Sequence, residues 1–374
     1  MMETVTRFYL LWITFDSFFH DRLFHLTRKL STTESVLTAA WQRRGLLACL
    51  LWPLSLLFLF ISGLRRISYV IGWSASTRLP VPIIVVGNIY VGGTGKTPLT
   101  IWLVQALRLA GYTPGVISRG YGVNPSVETS VVSVNSVAAE VGDEPLLIAQ
   151  RTQCPVVVGR NRVAAAQALL HAHPKVDVIL SDDGLQHYRL QRDIEIVLFD
   201  SRGNGNGWLL PAGPLREMAS RRRDFTVVNL ERTAALPTSL PRSAIRMQLI
   251  GEVAERLSDR AQTFRIADFS SKLPAPRILA AAGIGNPQRF FNMLSGMGLV
   301  FQSLSLPDHY DFSTNPFAAL DAEIILITEK DAVKCSQIKT IKNDPRLWVV
   351  PVTAQIDVAL IQQIVEKLRG HPTA

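Results

Sequence analysis

The stretch "VVGNIYVGGTGKTPLT", Val85–Thr100, decides how this sequence is read. An aliphatic run ends in a glycine-rich turn, and a Lys-Thr pair opens the next apolar-periodic segment. In the strict phosphate loop, G-x-x-x-x-G-K-[ST], the first glycine would fall at Tyr90, so the match is to the shorter "GGTGKT". The context still suits the chemistry. Glycines let backbone N–H groups approach phosphate oxygens, and the following helix adds its dipole. Gly92, Gly93, Thr94, Gly95, Lys96 and Thr97 are therefore the candidate nucleotide-binding residues. Lys96 is placed to reach the β- and γ-phosphates, and the Thr97 hydroxyl to coordinate Mg2+.

Outward from this loop, β and α patterns alternate, which predicts a parallel sheet with helices on both faces. "VPIIVVG", "TPGVIS", "CPVVVG", "VDVILSDDG" and "IEIVLFD" read as strands; "PLTIWLVQALRLAG", "GDEPLLIAQRT" and "RVAAAQALLHA" read as helices. "DFTVVNL" is expected to be the last strand of this unit. Residues 232–272 lose the rhythm and read as a linker with a small β ribbon. A second αβ unit starts at "RILAAAGIGNPQRFFNML" and runs through "AEIILITEKDAVKC" and "LWVVPV" to a last helix from about Asp357. The expected segments are a 1–45 extension, a 46–66 apolar helix, a 67–231 nucleotide domain, the 232–272 linker and a 273–374 C-terminal α/β domain.

At 374 residues the chain is long for one core, and two α/β domains are the expected solution. Hydrophobic residues make up 48% and charged residues 18%, with a mean hydropathy of +0.20. Part of that excess is the uncharged run Leu46–Leu64, "LLACLLWPLSLLFLFISGL", close to the length that crosses a bilayer core. Arg43 and Arg44 precede it and Arg65 and Arg66 follow it, so the positive-inside rule gives no orientation. A helix that dips in from the cytoplasmic face, bent at Pro53, would set all four arginines beside anionic headgroups. The aromatic piece "FYLLWITFDSFF" before it reads as an interfacial element. The net charge of +9 suits nucleic acid, anionic lipid or phosphorylated substrates, and does not choose among them. Cys49, Cys154 and Cys335 stand far apart in apolar contexts and read as buried thiols of a reducing compartment, implying neither a disulfide framework nor a zinc site.

Beyond the loop, the strand of "VDVILSDDGLQHYRL" ends in Asp182 and Asp183, followed by Gln186 and His187. Such a strand-end acid fits the group that holds a nucleotide's Mg2+. Asp143 and Glu144 of "VGDEPLL" are, on composition alone, favourable charges at a helix start, worth less than about 2 kcal/mol. His309 in "LPDHYDF" is by itself a structural histidine. "PAGPLREMASRRRD" brings Arg216, Glu217 and Arg221–Arg223, a solvated helix end or an anion patch.

Taken together and in order, "GNIYVGGTGKTP", "SRGYG", "VGDEP", "DDGLQH", "PAGPLRE", "DHYDF" and "TEKDAVKC" resemble the tetraacyldisaccharide 4′-kinases of lipid A synthesis, from about residue 40 to the C-terminus. The resemblance implies an α/β fold of two α/β/α sandwich domains, a larger P-loop domain and a smaller C-terminal one. A β-stranded linker would join them, behind an N-terminal apolar membrane helix. It implies transfer of the γ-phosphate of ATP to the 4′-hydroxyl of a tetraacyldisaccharide 1-phosphate, with ATP and Mg2+ as cofactors. Asp143 becomes the candidate base aided by His309, with Lys96 neutralising charge, and Thr97, Asp182, Asp183 and Glu217 form the candidate metal set. The implied partners are the acylated lipid and an anionic membrane surface, with no nucleic acid and no obligate protein partner. The implied location is the inner membrane, peripheral or monotopic on the cytoplasmic face. ATPases of the partition or metal-insertion type also carry "GGTGK[ST]", but with a lysine just before the two glycines, where this chain has Val91. A non-enzymatic, membrane-anchored nucleotide sensor is the other alternative.

Overall fold

The aliphatic run before the loop forms a strand, β1 (Ile83–Gly87), buried along all five residues. An uninterrupted apolar strand of this kind belongs in the middle of a parallel sheet, where both faces are covered. The computed structural model describes residues 38–120, 128–271 and 276–370. The aromatic piece before residue 38, and Tyr121 and Gly122 of "SRGYG", lie outside the described residues. The chain divides into two compact units: one comprises residues up to 62 together with 204–219, and the other 63–203 with 220 onward.

The larger unit carries two sheets and shows the α/β class expected from the sequence. The first takes its strands from β1, β2 (Pro114–Ser118), β3 (Thr129–Val132), β4 (Val156–Gly159), β5 (Val178–Asp182), β6 (Ile194–Asp200), β7 (Phe225–Asn229), β8 (Ile245–Ile250) and β15 (Thr353–Ile356). Their spatial order is β15-β8-β7-β6-β1-β5-β2-β4-β3. All neighbours are parallel except the two edge pairs, β3 on β4 and β15 on β8. The second sheet is ordered β10-β9-β14-β13-β11-β12, from β9 (Val253–Arg256), β10 (Asp259–Arg265), β11 (Ile278–Ala282), β12 (Gln302–Ser305), β13 (Ile324–Thr328) and β14 (Leu347–Val350).

Two topological details differ from the sequence expectation. "DFTVVNL" is not the last strand of its sheet, because β8 pairs parallel with β7 and β15 then pairs with β8. The segment 232–272 therefore gives one strand to the first sheet and the β9–β10 ribbon to the second. The C-terminus also leaves the second sheet and returns to the first. Its final helix buries Leu360, Ile364 and Leu368, spaced four apart on one face, in the same core as Leu103 and Leu107. β15 was invisible as a strand because "TAQI" is short and half polar, and only its antiparallel partner settles it.

Helix α1 (Leu46–Val70), whose residues up to Ser62 belong to the smaller unit, continues past the predicted 46–66 span and contains Pro53. Residues 204–219 fold against one face of it. The Ser55 hydroxyl donates to the carbonyl of Leu209 at 2.9 Å and accepts from the amide of Ala212 at 3.0 Å. The Arg44 guanidinium lies 5.2 Å from the Trp208 ring, and the Trp41 indole donates to the carbonyl of Pro211. Another face is left uncovered by the described residues: Leu46, Leu50, Leu54, Leu57 and Phe60 fall in one helical stripe, each more than half exposed. One correction concerns cysteine. Cys154 and Cys335 are buried as expected, but Cys49 is exposed, because nothing among the described residues packs over its part of the helix.

Candidate active site

At the carboxyl ends of the first sheet's parallel strands lie the glycine loop after β1 and the acids that close β5. The loop after β1 leads into helix α2 (Lys96–Leu109). Gly92 and Gly95 have φ of +98° and +99°, a region closed to most side chains. A Cβ on Gly95 would also stand 2.6 Å from the side-chain nitrogen of Asn229, which donates to the carbonyl of Thr94 at 3.0 Å. Asn88 organises the front of the loop: its amide nitrogen donates to the carbonyl of Gly92, and its oxygen accepts from Lys96 Nζ at 3.0 Å. Lys96 also lies 3.5 Å from Asp183. Asn88 lies within the motif "GNIYVGGTGKTP" but its role there, like that of Asn229, was not read from the sequence.

Behind the loop, Asp182 closes β5 almost wholly buried. Its Oδ1 accepts from the Thr100 hydroxyl at 3.3 Å, while its Oδ2 is buried without a donor. Burial pushes its carboxyl up to about 7, with the charges of Glu144 and Asp183 adding to the effect and Lys96 opposing it. A buried carboxylate oxygen lacking a donor, beside a phosphate loop, fits an Mg2+ ion. That ion takes one or two protein oxygens and completes its shell with phosphates and water. Arg162, fully buried, donates to the carbonyls of Gly159 and Asp182 and stiffens this strand end. His187 is pushed well below its ordinary value by burial and by the charge of Arg162, so it is neutral. Glu217, the remaining metal candidate, lies in the smaller compact unit, whereas Thr97, Asp182 and Asp183 lie in the larger.

Asp143 and His309, 166 positions apart, are brought into contact. Asp143 opens helix α4 (Asp143–Thr152; α3 is the single turn Ala138–Val141), and His309 Nδ1 lies 3.0 Å and 3.1 Å from its two carboxylate oxygens. His309 sits on a loop after β12 with φ of +58°, held by the carbonyl of Gly283 and the side chain of Asp308. The sequence reading missed what surrounds this pair. After β13 comes helix α7 (Glu329–Cys335), with α5 (Arg162–Ala172) and α6 (Pro287–Gly296) preceding it in the chain. From α7, Lys334 Nζ lies 3.1 Å from Asp143, and Lys330 Nζ reaches Glu144 at 2.9 Å and His309 Nε2 at 3.3 Å. "TEKDAVKC" places the two lysines at i and i+4, the only signal that could have paired them. Burial alone would raise the Asp143 carboxyl, but the His309 hydrogen bond and both lysines hold it well below the usual carboxylate range.

The second sheet also meets the loop directly. A Cβ on Gly285 would stand 2.8 Å from the amide of Gly93, so backbone approaches backbone there. Arg289 from α6 reaches Asp200 at the end of β6 at 2.8 Å. Asp200 also holds Arg202, whose guanidinium stacks 4.2 Å from the Tyr90 ring.

The tetraacyldisaccharide-1-P 4′-kinase family model (LpxK) matches residues 47–369. The chain belongs to this family. It is 64% identical over 346 residues to a tetraacyldisaccharide 4′-kinase from Janthinobacterium sp. (strain Marseille), covering 92% of this chain and 99% of that one. It is 48% identical over 326 residues to the enzyme of that name from Bordetella parapertussis, covering 86% and 92%. The crystal structure of LpxK from Aquifex aeolicus in complex with ATP aligns with a TM-score of 0.68 at 29% identity, over 86% of this chain and all of that one. Membership of this 4′-kinase family excludes the partition-ATPase and nucleotide-sensor alternatives.

Proposed function

We propose that this protein transfers the γ-phosphoryl group of ATP to the 4′-hydroxyl of a tetraacyldisaccharide 1-phosphate, giving lipid IVA in lipid A synthesis. It is a phosphotransferase with an alcohol group as acceptor. The observation that carries the site assignment is the Asp143–His309 contact beside the phosphate loop. A sugar hydroxyl is a poor nucleophile. Asp143, ionised and oriented, accepts its proton as the oxygen–phosphorus bond forms and the bond to ADP breaks. Lys96 and the loop amides bind the triphosphate and balance charge on the group in transfer. Thr97, Asp182 and Asp183 are the residues that would hold Mg2+, which when bound neutralises phosphate charge. Glu217 has no part in this assignment.

We infer a monotopic enzyme on the cytoplasmic face of the inner membrane, where ATP is available, with the exposed leucine stripe of α1 as its membrane contact. A tetraacylated acceptor leaves the bilayer at a cost of roughly 0.8 kcal/mol per CH2, so the enzyme must go to it. The deciding experiment incubates a disaccharide 1-phosphate lipid with the protein and MgATP and reads the product by mass spectrometry. A mass gain of one phosphate, at the 4′ position, is expected; ADP release unaffected by the lipid would sink the assignment. For the membrane reading, Leu50→Glu with Leu54→Glu should weaken binding to anionic vesicles while nucleotide affinity holds. Unchanged vesicle binding would move the contact elsewhere.

A further inference from the structure

The partners of His309 fix where its proton sits. A lysine ammonium has three donors and no acceptor, so the ring nitrogen facing it must offer a lone pair. Lys330 Nζ lies 3.3 Å from His309 Nε2, which makes Nε2 the acceptor. The ring proton is then on Nδ1, donated to the Asp143 carboxylate at 3.0 Å and 3.1 Å. Asp143 is held from two further sides, by Lys334 Nζ on Oδ2 at 3.1 Å and by the backbone amide of Glu144 on Oδ1 at 2.9 Å.

We propose that Lys330 and Lys334 are positioning residues for phosphoryl transfer. Lys330 locks His309 as the neutral Nδ1–H tautomer, and Lys334 pins the Asp143 carboxylate, making Asp143 the base and His309 its orienter. The proposal rests on the reading of Asp143 as base. It disfavours the opposite division of roles, His309 as base and Asp143 as its orienter, because the lone pair on His309 Nε2 is already taken by Lys330. The step balances simply. The hydroxyl proton passes to the Asp143 carboxylate, the acceptor oxygen bonds to phosphorus as ADP leaves, and the carboxylic acid then returns its proton to water.

The need for two cations follows from the local charge. Asp143 from α4 and Asp308 from the histidine loop flank one imidazole, Glu144 bonds the lysine that faces it, and the charge of Glu144 is felt by Asp182 of β5. Lys330 touches Glu144, Asp308 and His309 together. Lys334 touches Asp143 and sits 5.7 Å from the Phe312 ring, which limits its rotamers. Between the two lysines, Asp331 turns inward: it accepts from the amide of Gly283 and the hydroxyl of Thr328, and so ties α7 to the loop that touches Gly93. One helix of the second sheet thus places both lysines against the base of the first.

The direct test is the tautomer. In protein carrying 15N-labelled histidine, long-range proton–nitrogen correlation spectra distinguish Nδ1–H, Nε2–H and imidazolium rings, with His309→Gln assigning the signals. Wild-type protein should show His309 as Nδ1–H at neutral pH; an Nε2–H ring or an imidazolium would overturn the proposal. Lys330→Met should lose the single-tautomer pattern and lower kcat about 10-fold or more, a fraction of the 10²–10⁴ a positioned base contributes, at unchanged ATP affinity. Lys330→Arg, again donor-only, should restore the Nδ1–H pattern and recover part of kcat. Lys334→Met should bring an acid limb into the kcat profile at least about 1 pH unit above wild type, since a neighbouring cation depresses a carboxylate by about 1–3 units. Full kcat with an unaltered tautomer in Lys330→Met, or an unmoved acid limb in Lys334→Met, would also overturn it. The spectrum needs no lipid, so a wild-type protein that phosphorylated no acceptor would refute the kinase reading while leaving the tautomer result standing.

Discussion

The phosphate loop and the Asp143–His309 pair sit in one active site but are built in opposite ways. The loop is six consecutive residues that offer backbone amides together with the side chains of Lys96 and Thr97, shaped by glycines at φ of +98° and +99°. The pair joins two side chains 166 positions apart and depends on cations from a third element, α7. A site made from backbone is specified by local conformation and tolerates any surroundings that leave it room. A site made from buried charges exists only when every partner arrives, because an unpaired buried charge is expensive.

The comparison breaks most decisively at the pair. Asp143→Ala and His309→Ala should each lower kcat by about 10²–10⁴, the range of general-base contributions, with the double mutant little worse than the poorer single one. Fully multiplicative losses in steady-state assays would show two independent residues and dissolve the pair as a unit.

Lys96→Ala comes next, with an expected loss of about 10²–10³ in kcat as one preorganised cation is removed from the developing charge. Its thermal melt should match wild type, because the Lys96 ammonium is held by polar groups, Asn88 and Asp183, and fills no place in the hydrophobic core. Near-normal turnover would end the phosphate-loop assignment.

Gly95→Ala probes the backbone side at a smaller scale. The new methyl would meet Asn229 at 2.6 Å in a left-handed conformation, a strain of about 1–3 kcal/mol. ATP affinity measured by titration should fall about 10-fold, and Asn229→Ala should not restore it, since removing the clash leaves φ unchanged. Recovery in that double variant would show that space, and not φ, is what the glycine supplies.

The smallest effect is a slope. In the folded chain Asp143 is held well below the ordinary carboxylate value, so between that value and its folded one the unfolded chain binds more protons. Its stabilising contribution is complete above about pH 4 and is lost progressively below it. Melting temperature should therefore fall less steeply below pH 4 in Asp143→Asn than in wild type; identical slopes would mean the lysine and histidine contacts do not persist in solution.

The sequence itself carried the strand-loop-helix order around Gly92–Thr97, the buried parallel strands and the long apolar helix. Each is a local pattern: glycine where the backbone must bend, aliphatic runs where both faces are covered, 19 uncharged residues where no water is expected. Resemblance of the ordered motifs, more than composition, singled out Asp143 and His309, since an acid at a helix start and a lone histidine are ordinary in themselves. The return of β15 and the final helix (Ala359–Arg369) to the first sheet was not legible, because "TAQI" becomes a strand only beside β8. Nor were the roles of Asn88, Asn229, Lys330 and Lys334, whose side chains acquire meaning only from neighbours far away in the chain. Covalent neighbours along the chain decide backbone shape over a few residues. Which charges face each other is decided by packing two sheets together, and that long-range contact is where the base found its histidine and the histidine its proton.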